Sequence, residues 1–194
     1  MRRLYKQGLT TTSGGNISLK INDDIILITP SATDKGRMKW EEVGIISPAG
    51  NNFTPSLKLS IETGMHLAIY RRKKCRAIIH AHPVFATTFT ALKEKIDTTL
   101  TAEASVILGE PLFVPYEIMG SGELAEKVAE YIEKSDILLL ENHGVLAVGE
   151  TLLQAFDKIE VLENAARMSV IARIMGKKKP LSKWRVEELK QMFR

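Results

Sequence analysis

The run from Asp136 to Glu141, the turn Asn142-His143-Gly144 and the return run Val145-Leu146-Ala147-Val148 constrain the fold of this chain more than any other segment. Two short apolar runs joined by a tight turn with asparagine and glycine read as a β-hairpin, so part of the sheet must be antiparallel. Asp24 to Thr29, β-branched and closed by Pro30, and Arg76 to Ala81 read as further strands. Helical signals lie between them. Ile61, Met65, Ala68 and Ile69 follow the i, i+4, i+7, i+8 spacing and predict a helix over residues 60–73, with Ser60 as N-cap and Glu62 in the first turn. Pro83 suits the first position of a helix running to Leu92, and Leu124, Val128, Tyr131 and Ile132 mark another, opened by Gly120-Ser121-Gly122. Thr151 and Gln154 form a capping box for a long helix to about Met175, which Gly176 closes and Pro180 forbids from continuing; residues 182–193 make a short terminal helix. Strand pairs close in sequence and mixed with helices predict an α/β fold, a largely antiparallel sheet flanked by helices.

The 194 residues suffice for one sizeable core and predict a single domain over residues 1–194. Hydrophobic and charged fractions of 44% and 26% exclude a disordered or fibrous chain. The net charge of +4 comes partly from Arg71-Arg72-Lys73-Lys74 and Lys177-Lys178-Lys179, short runs that read as solvated faces, so no nucleic-acid partner is expected. No stretch approaches the roughly 20 apolar residues of a membrane span. Nor does an apolar segment follow the charges of Met1 to Gly8, which leaves a cytoplasmic location as the expectation. Cys75 is the only cysteine, so it can form no intrachain disulfide and reads as a buried spectator.

Chemistry concentrates on three of the four histidines. His80 and His82 sit at the end of the Arg76 strand, and spacing of i, i+2 sends both imidazoles from one face of an extended segment. His143 ends another apolar run. Three neutral imidazoles with one position left open are what a catalytic zinc site requires. His66, on the helix four residues after Glu62, reads as a packing or surface residue. Glu62 is the carboxylate to nominate as acid/base, since proton transfer at carbon needs a base beside the metal; a glutamate favoured by the helix dipole is the structural alternative. Thr12-Ser13-Gly14-Gly15-Asn16-Ile17-Ser18 is a glycine-rich turn that can aim N–H groups and hydroxyls at a phosphate, and Thr29-Pro30-Ser31-Ala32 is a strand end that can hold an anion; each is equally compatible with a plain turn.

In order along the chain, Gly15-Asn16-Ile17-Ser18, Thr29-Pro30-Ser31, Ser60-Ile61-Glu62 with His66 and Tyr70, His80-Ala81-His82-Pro83 and Asn142-His143-Gly144 resemble the class II aldolase and adducin head-domain family. The resemblance implies a three-layer α/β/α sandwich around a central, mostly antiparallel sheet. It implies one Zn²⁺ per subunit on His80, His82 and His143, with Glu62 as acid/base and as a further ligand when substrate is absent. It places a phosphate on Gly15, Asn16, Ser31 and Ser60, and it implies a homotetramer with active sites at subunit interfaces. The implied reaction is cleavage of a ketose 1-phosphate, of the fuculose 1-phosphate kind, to dihydroxyacetone phosphate and an aldehyde, with Glu62 protonating the carbon that keeps the electron pair.

Three positions depart from the family pattern: Ile61 replaces a second serine, Ala32 a glycine, and no tyrosine stands near Thr101. The alternatives within the family are pentulose-phosphate 4-epimerase and methylthioribulose-phosphate dehydratase. Glu62 favours the aldolase, because the epimerases usually carry aspartate there. A non-catalytic adducin-like assembly module would be expected to lack the metal ligands, and all three are present.

Overall fold

Seven strands form one sheet: β1 (Asn16–Lys20), β2 (Ile26–Ile28), β3 (Gly44–Ile46), β4 (Ala77–Ala81), β5 (Leu112–Val114), β6 (Ile137–Leu140) and β7 (Gly144–Gly149). The computed structural model describes residues 1–193. The strand order is β3-β2-β1-β4-β7-β6-β5, and every neighbouring pair is antiparallel except β5 and β6. The helices are α1 (Arg2–Lys6), α2 (Thr63–Arg72), α3 (Val84–Leu92), α4 (Ala102–Ile107), α5 (Gly122–Ile132), α6 (Leu152–Met175) and α7 (Lys183–Met192).

The central strands carry apolar residues at successive positions because both sheet faces are covered. Ala77, Ile79, Leu139, Val145 and Ala147 pack with Phe89 of α3 and Phe156, Ile159 and Leu162 of α6. Ile78, Leu138, Leu146 and Val148 pack on the other face with Met65 and Ile69 of α2 and Leu124, Val128 and Ile132 of α5. This is the α/β/α sandwich. Each fully buried Ile or Leu contributes roughly 1.5–3 kcal/mol relative to leaving it exposed.

The hairpin forms as the sequence predicts, with Leu140 paired to Gly144 across a turn in which Asn142 takes φ 51°. Asparagine tolerates this left-handed conformation better than most residues. Gly176, at φ 68°, ends α6. The capping box differs in one detail: Thr151 Oγ1 accepts from Gln154 N, while Gln154 Oε1 reaches the N–H of Glu150.

Two expectations need correction. The helix predicted over residues 60–73 begins at Thr63, and Glu62 is its N-cap residue with no side-chain cap bond. Ser60 Oγ accepts from Glu62 N, and Ser60 O accepts from Thr63, so Ser60 closes a turn ahead of the helix. The carboxylate of Glu62 is therefore free of the helix N-terminus and points elsewhere. His66 is neither a surface residue nor an apolar packing residue, as described below.

Pro83 precedes α3 without a side-chain cap. The buried Glu163 of α6 replaces one, taking the N–H groups of Phe85 and Ala86 at 3.0 and 2.8 Å. The carboxylate meets the positive end of the helix dipole and locks the segment that follows His82.

Cys75 is buried, and burial pushes its thiol up to about 11. A thiol reagent at neutral pH is therefore expected to leave the native protein unlabelled and to titrate one thiol after unfolding; rapid native labelling would contradict this placement.

Candidate active site

β4 and the β6–β7 turn deliver the three histidines to one point. His80, at the C-terminal end of β4, is fully buried, and its ring faces the carbonyl of Val145 on β7, 3.0 Å from Nδ1. Burial pushes its pKa down, and with Nδ1 donating to that carbonyl the ring presents Nε2 to the cluster. His82 Nε2 lies 2.9 Å from His80 Nε2, and burial lowers the His82 pKa to about 3. The His143 ring centroid is 4.7 Å from that of His80 and 5.7 Å from that of His82. Ligand atoms of the three rings all lie within 4.8 Å of one another. The set is suited to a divalent ion with nitrogen ligands.

Glycines make the convergence possible. A Cβ on Gly144 would lie 2.4 Å from His82 Cδ2 and 2.7 Å from Ala81 O. Gly15, at φ +66°, leaves no room for one either, with His80 O 2.7 Å from where it would stand.

Glu62 sits against this triad. Its Oε2 is 2.6 Å from Asn16 Nδ2 and 3.4 Å from His80 Nε2, and its Oε1 is 3.2 Å from His143 Nε2. Oε1 is buried and has no hydrogen-bond partner. Burial pushes the Glu62 carboxyl up, but His80, His143 and the Asn16 amide outweigh it and hold the group well below the usual carboxylate range. A buried anion with one unsatisfied oxygen beside three imidazoles fits a site built for a cation.

Gly15, Asn16, Ser31 and Ser60 line one cavity of about 270 Å³ together with Glu62 and two of the histidines, His82 and His143. A larger cavity of about 560 Å³ beneath α7 contains none of the three. The Asn16 side chain is held at both ends inside the wall: Nδ2 bonds Glu62, and Oδ1 is 2.5 Å from His66 Nε2. His66 Nδ1 in turn is 2.6 Å from Ser18 Oγ. Ala32, which departs from the family's glycine, is held at φ 53°, a conformation glycine adopts without strain.

Lys35 lines the same cavity and is 1% exposed. Its Nζ donates to Pro30 O at 2.6 Å, and among the described residues no carboxylate forms an ion pair with it. Burial pushes its pKa down. Nothing in the local pattern marks this lysine, because the segment around it is polar and irregular. Its place after Thr29-Pro30-Ser31 was the one available signal.

Fold and site together define an α/β/α protein with a possible three-histidine metal site, and comparison with known proteins gives its family. Residues 1–170 match the model of the Class II Aldolase and Adducin N-terminal domain family. An L-fuculose phosphate aldolase of Methanococcus maripaludis strain C7 is 37% identical over 169 residues, covering 87% of this chain and 91% of the relative. A 3-oxo-tetronate 4-phosphate decarboxylase of Haemophilus influenzae is 31% identical over 173 residues, covering 86% and 81%. A solved L-fuculose 1-phosphate aldolase superimposes with TM-score 0.89 at 30% identity, covering 99% of this chain and 91% of that one. The chain belongs to the class II aldolase and adducin N-terminal domain family and is an enzyme of the class II aldolase type. No helix among the described residues is long and apolar enough to cross a membrane.

Proposed function

We propose that the protein is a zinc-dependent aldolase that cleaves a ketose 1-phosphate of the L-fuculose 1-phosphate type to dihydroxyacetone phosphate and an aldehyde. The observation that carries this reading is the buried Glu62 carboxylate, with its unpartnered Oε1 facing His143 at the edge of a trihistidine cluster. His80, His82 and His143 would hold the ion, which when bound acts as a Lewis acid on the substrate's carbonyl. Glu62 would hand to the carbon left with the electron pair the proton given up by the hydroxyl that becomes the aldehyde, and would take a proton from that carbon in the reverse direction. Gly15, Asn16, Ser31 and Ser60 form the wall against which the phosphate lies. With no carboxylate paired to it in that wall, Lys35 supplies positive charge to the same end of the cavity.

This role for Lys35 predicts a split in the kinetics. Lys35→Met is expected to raise KM for the phosphorylated substrate roughly tenfold or more while kcat stays within about threefold, because the lost charge acts on binding in ground and transition state alike. A fall in kcat with KM unchanged would remove Lys35 from phosphate binding.

The similarity to 3-oxo-tetronate 4-phosphate decarboxylases supports a second reading, loss of carbon dioxide from a 3-oxo acid phosphate. Both reactions leave an electron pair on a carbon next to a carbonyl and require that carbon to be protonated, so the same histidines and Glu62 serve either. A coupled assay separates them. Purified protein with zinc is expected to release triose phosphate from a ketose 1-phosphate, and to stop when chelator is added. Carbon dioxide from a 3-oxo acid phosphate, or interconversion or dehydration of a pentulose phosphate, without triose release would overturn the aldolase reading.

The working form in this reading is a cytoplasmic homotetramer with the sites at subunit interfaces. Ile61 and Met119 support it, since both line the cavity yet are exposed apolar side chains in the single chain, at 55% and 60%. Sedimentation velocity giving only monomer at working concentration would contradict it.

A further inference from the structure

Glu62 is connected to the far side of α2 by a series of side chains with a single internally consistent direction. An ionised carboxylate only accepts hydrogen bonds, so Asn16, 2.6 Å from Oε2, must turn its amide nitrogen toward Glu62 and its carbonyl oxygen away. That oxygen is 2.5 Å from His66 Nε2, so Nε2 carries the ring's hydrogen. His66 is completely buried, and burial pushes its pKa down to about 3; the ring is neutral and its Nδ1 is an acceptor. It takes the Ser18 hydroxyl hydrogen across 2.6 Å. Beyond Ser18, the Tyr70 hydroxyl lies 2.9 Å from Ser18 Oγ and donates to Arg76 O at 3.2 Å. One amide orientation, one tautomer and one hydroxyl rotor are fixed in series.

We propose that His66 is a positioning residue for Glu62: its Nε2–H holds the Asn16 carbonyl oxygen, which turns the Asn16 amide nitrogen onto Oε2 and fixes how the carboxylate faces the three imidazoles. The proposal rests on Glu62 being the acid/base of the reaction. Its physical content lies in what a flipped Asn16 would do. With its carbonyl toward Glu62, the amide would set an acceptor against Oε2 at a separation of 2.6 Å, and the carboxylate would lose the donor that anchors it. His66 prevents the flip because the Asn16 amide nitrogen would then meet the Nε2–H, two donors face to face in a buried place.

Three substitutions separate positioning from packing. His66→Gln can set an amide N–H near where Nε2–H stood, whereas His66→Asn and His66→Leu cannot. The zinc-loaded Asn and Leu variants are expected to lose roughly 10- to 100-fold in kcat with KM and zinc content within about twofold, and the Gln variant to recover most of that loss. Equal kcat in all three variants would overturn the proposal. Neutron diffraction from deuterium-exchanged wild-type crystals reads the same arrangement without any turnover and without a variant that must fold. The expected map has deuterium on His66 Nε2, none on Nδ1, and the Asn16 ND₂ group facing Glu62. Deuterium on Nδ1, or the amide reversed, would overturn it. Should the wild type cleave no ketose 1-phosphate, the reading of the reaction fails, and the neutron map still decides the amide and tautomer on which the proposal depends.

Discussion

Glu62→Gln is expected to give a folded protein that still binds one divalent ion per chain and turns over roughly 10²- to 10⁴-fold more slowly, the range that a positioned general acid/base contributes. The substitution keeps the shape of the side chain and removes its capacity to exchange a proton. It should fold, because Glu62 caps nothing: the carboxylate makes no bond to the N-terminus of α2, and the turn ahead of the helix is closed by Ser60. A neutral amide also relieves the chain of burying an anion. Steady-state kinetics, metal analysis and a thermal melt on one preparation check the prediction. Activity within about tenfold of the parent would remove Glu62 from proton transfer, and a collapsed melt would make it a structural residue.

Removal of the metal is the second large effect. Chelation is expected to abolish turnover, lower the melting temperature by roughly 5–10 °C, and be reversed by added zinc. The stability change follows from linkage: an ion present at about a hundred times its Kd stabilises the native state by roughly 2.7 kcal/mol, if the unfolded chain binds it poorly. For a chain of this size each kcal/mol moves the midpoint by about 2–4 °C. The unfolded chain cannot present the site, because His80 and His143 are brought together only by the pairing of β4 with β7, in which His80 lies opposite Leu146. His143→Ala should reproduce the chelator's effect on activity and become insensitive to chelator in the melt. A parent enzyme whose rate and midpoint both ignore chelator would exclude the metal site.

Much of the fold could be read because it is encoded locally. The β6–β7 hairpin is written in a turn tripeptide, and the histidine pair in a spacing that any extended segment converts to a shared face. Three strands are missing from the sequence reading: β3 and β5 are three residues each, too short to display a period, β5 also pairs in parallel with β6, which no turn announces, and β1 starts inside the segment whose glycines and asparagine read as a turn. The start of α2 was misplaced because Ser60 and Glu62 carry the signs of a helix N-terminus while serving a turn and the site. His66 could not be read correctly from its own neighbourhood, since Met65 and Leu67 around it are buried core residues and its partner Asn16 is 50 positions away. Lys35 was missed for a similar reason: burial of a charged residue in an irregular segment is decided by what folds over it.

The close approach at Gly144 has an evolutionary consequence. Any side chain there would push into His82 Cδ2 and the Ala81 carbonyl, so adding a single methyl group would displace a ligand without altering any functional atom. A descendant of this chain could thus lose its chemistry while keeping every histidine and Glu62, and would look intact to an inventory of ligands. In a relative that had lost the chemistry, the first trace of the change need not be a missing histidine. Alanine or serine at position 144 would already record that selection on the metal site had ended.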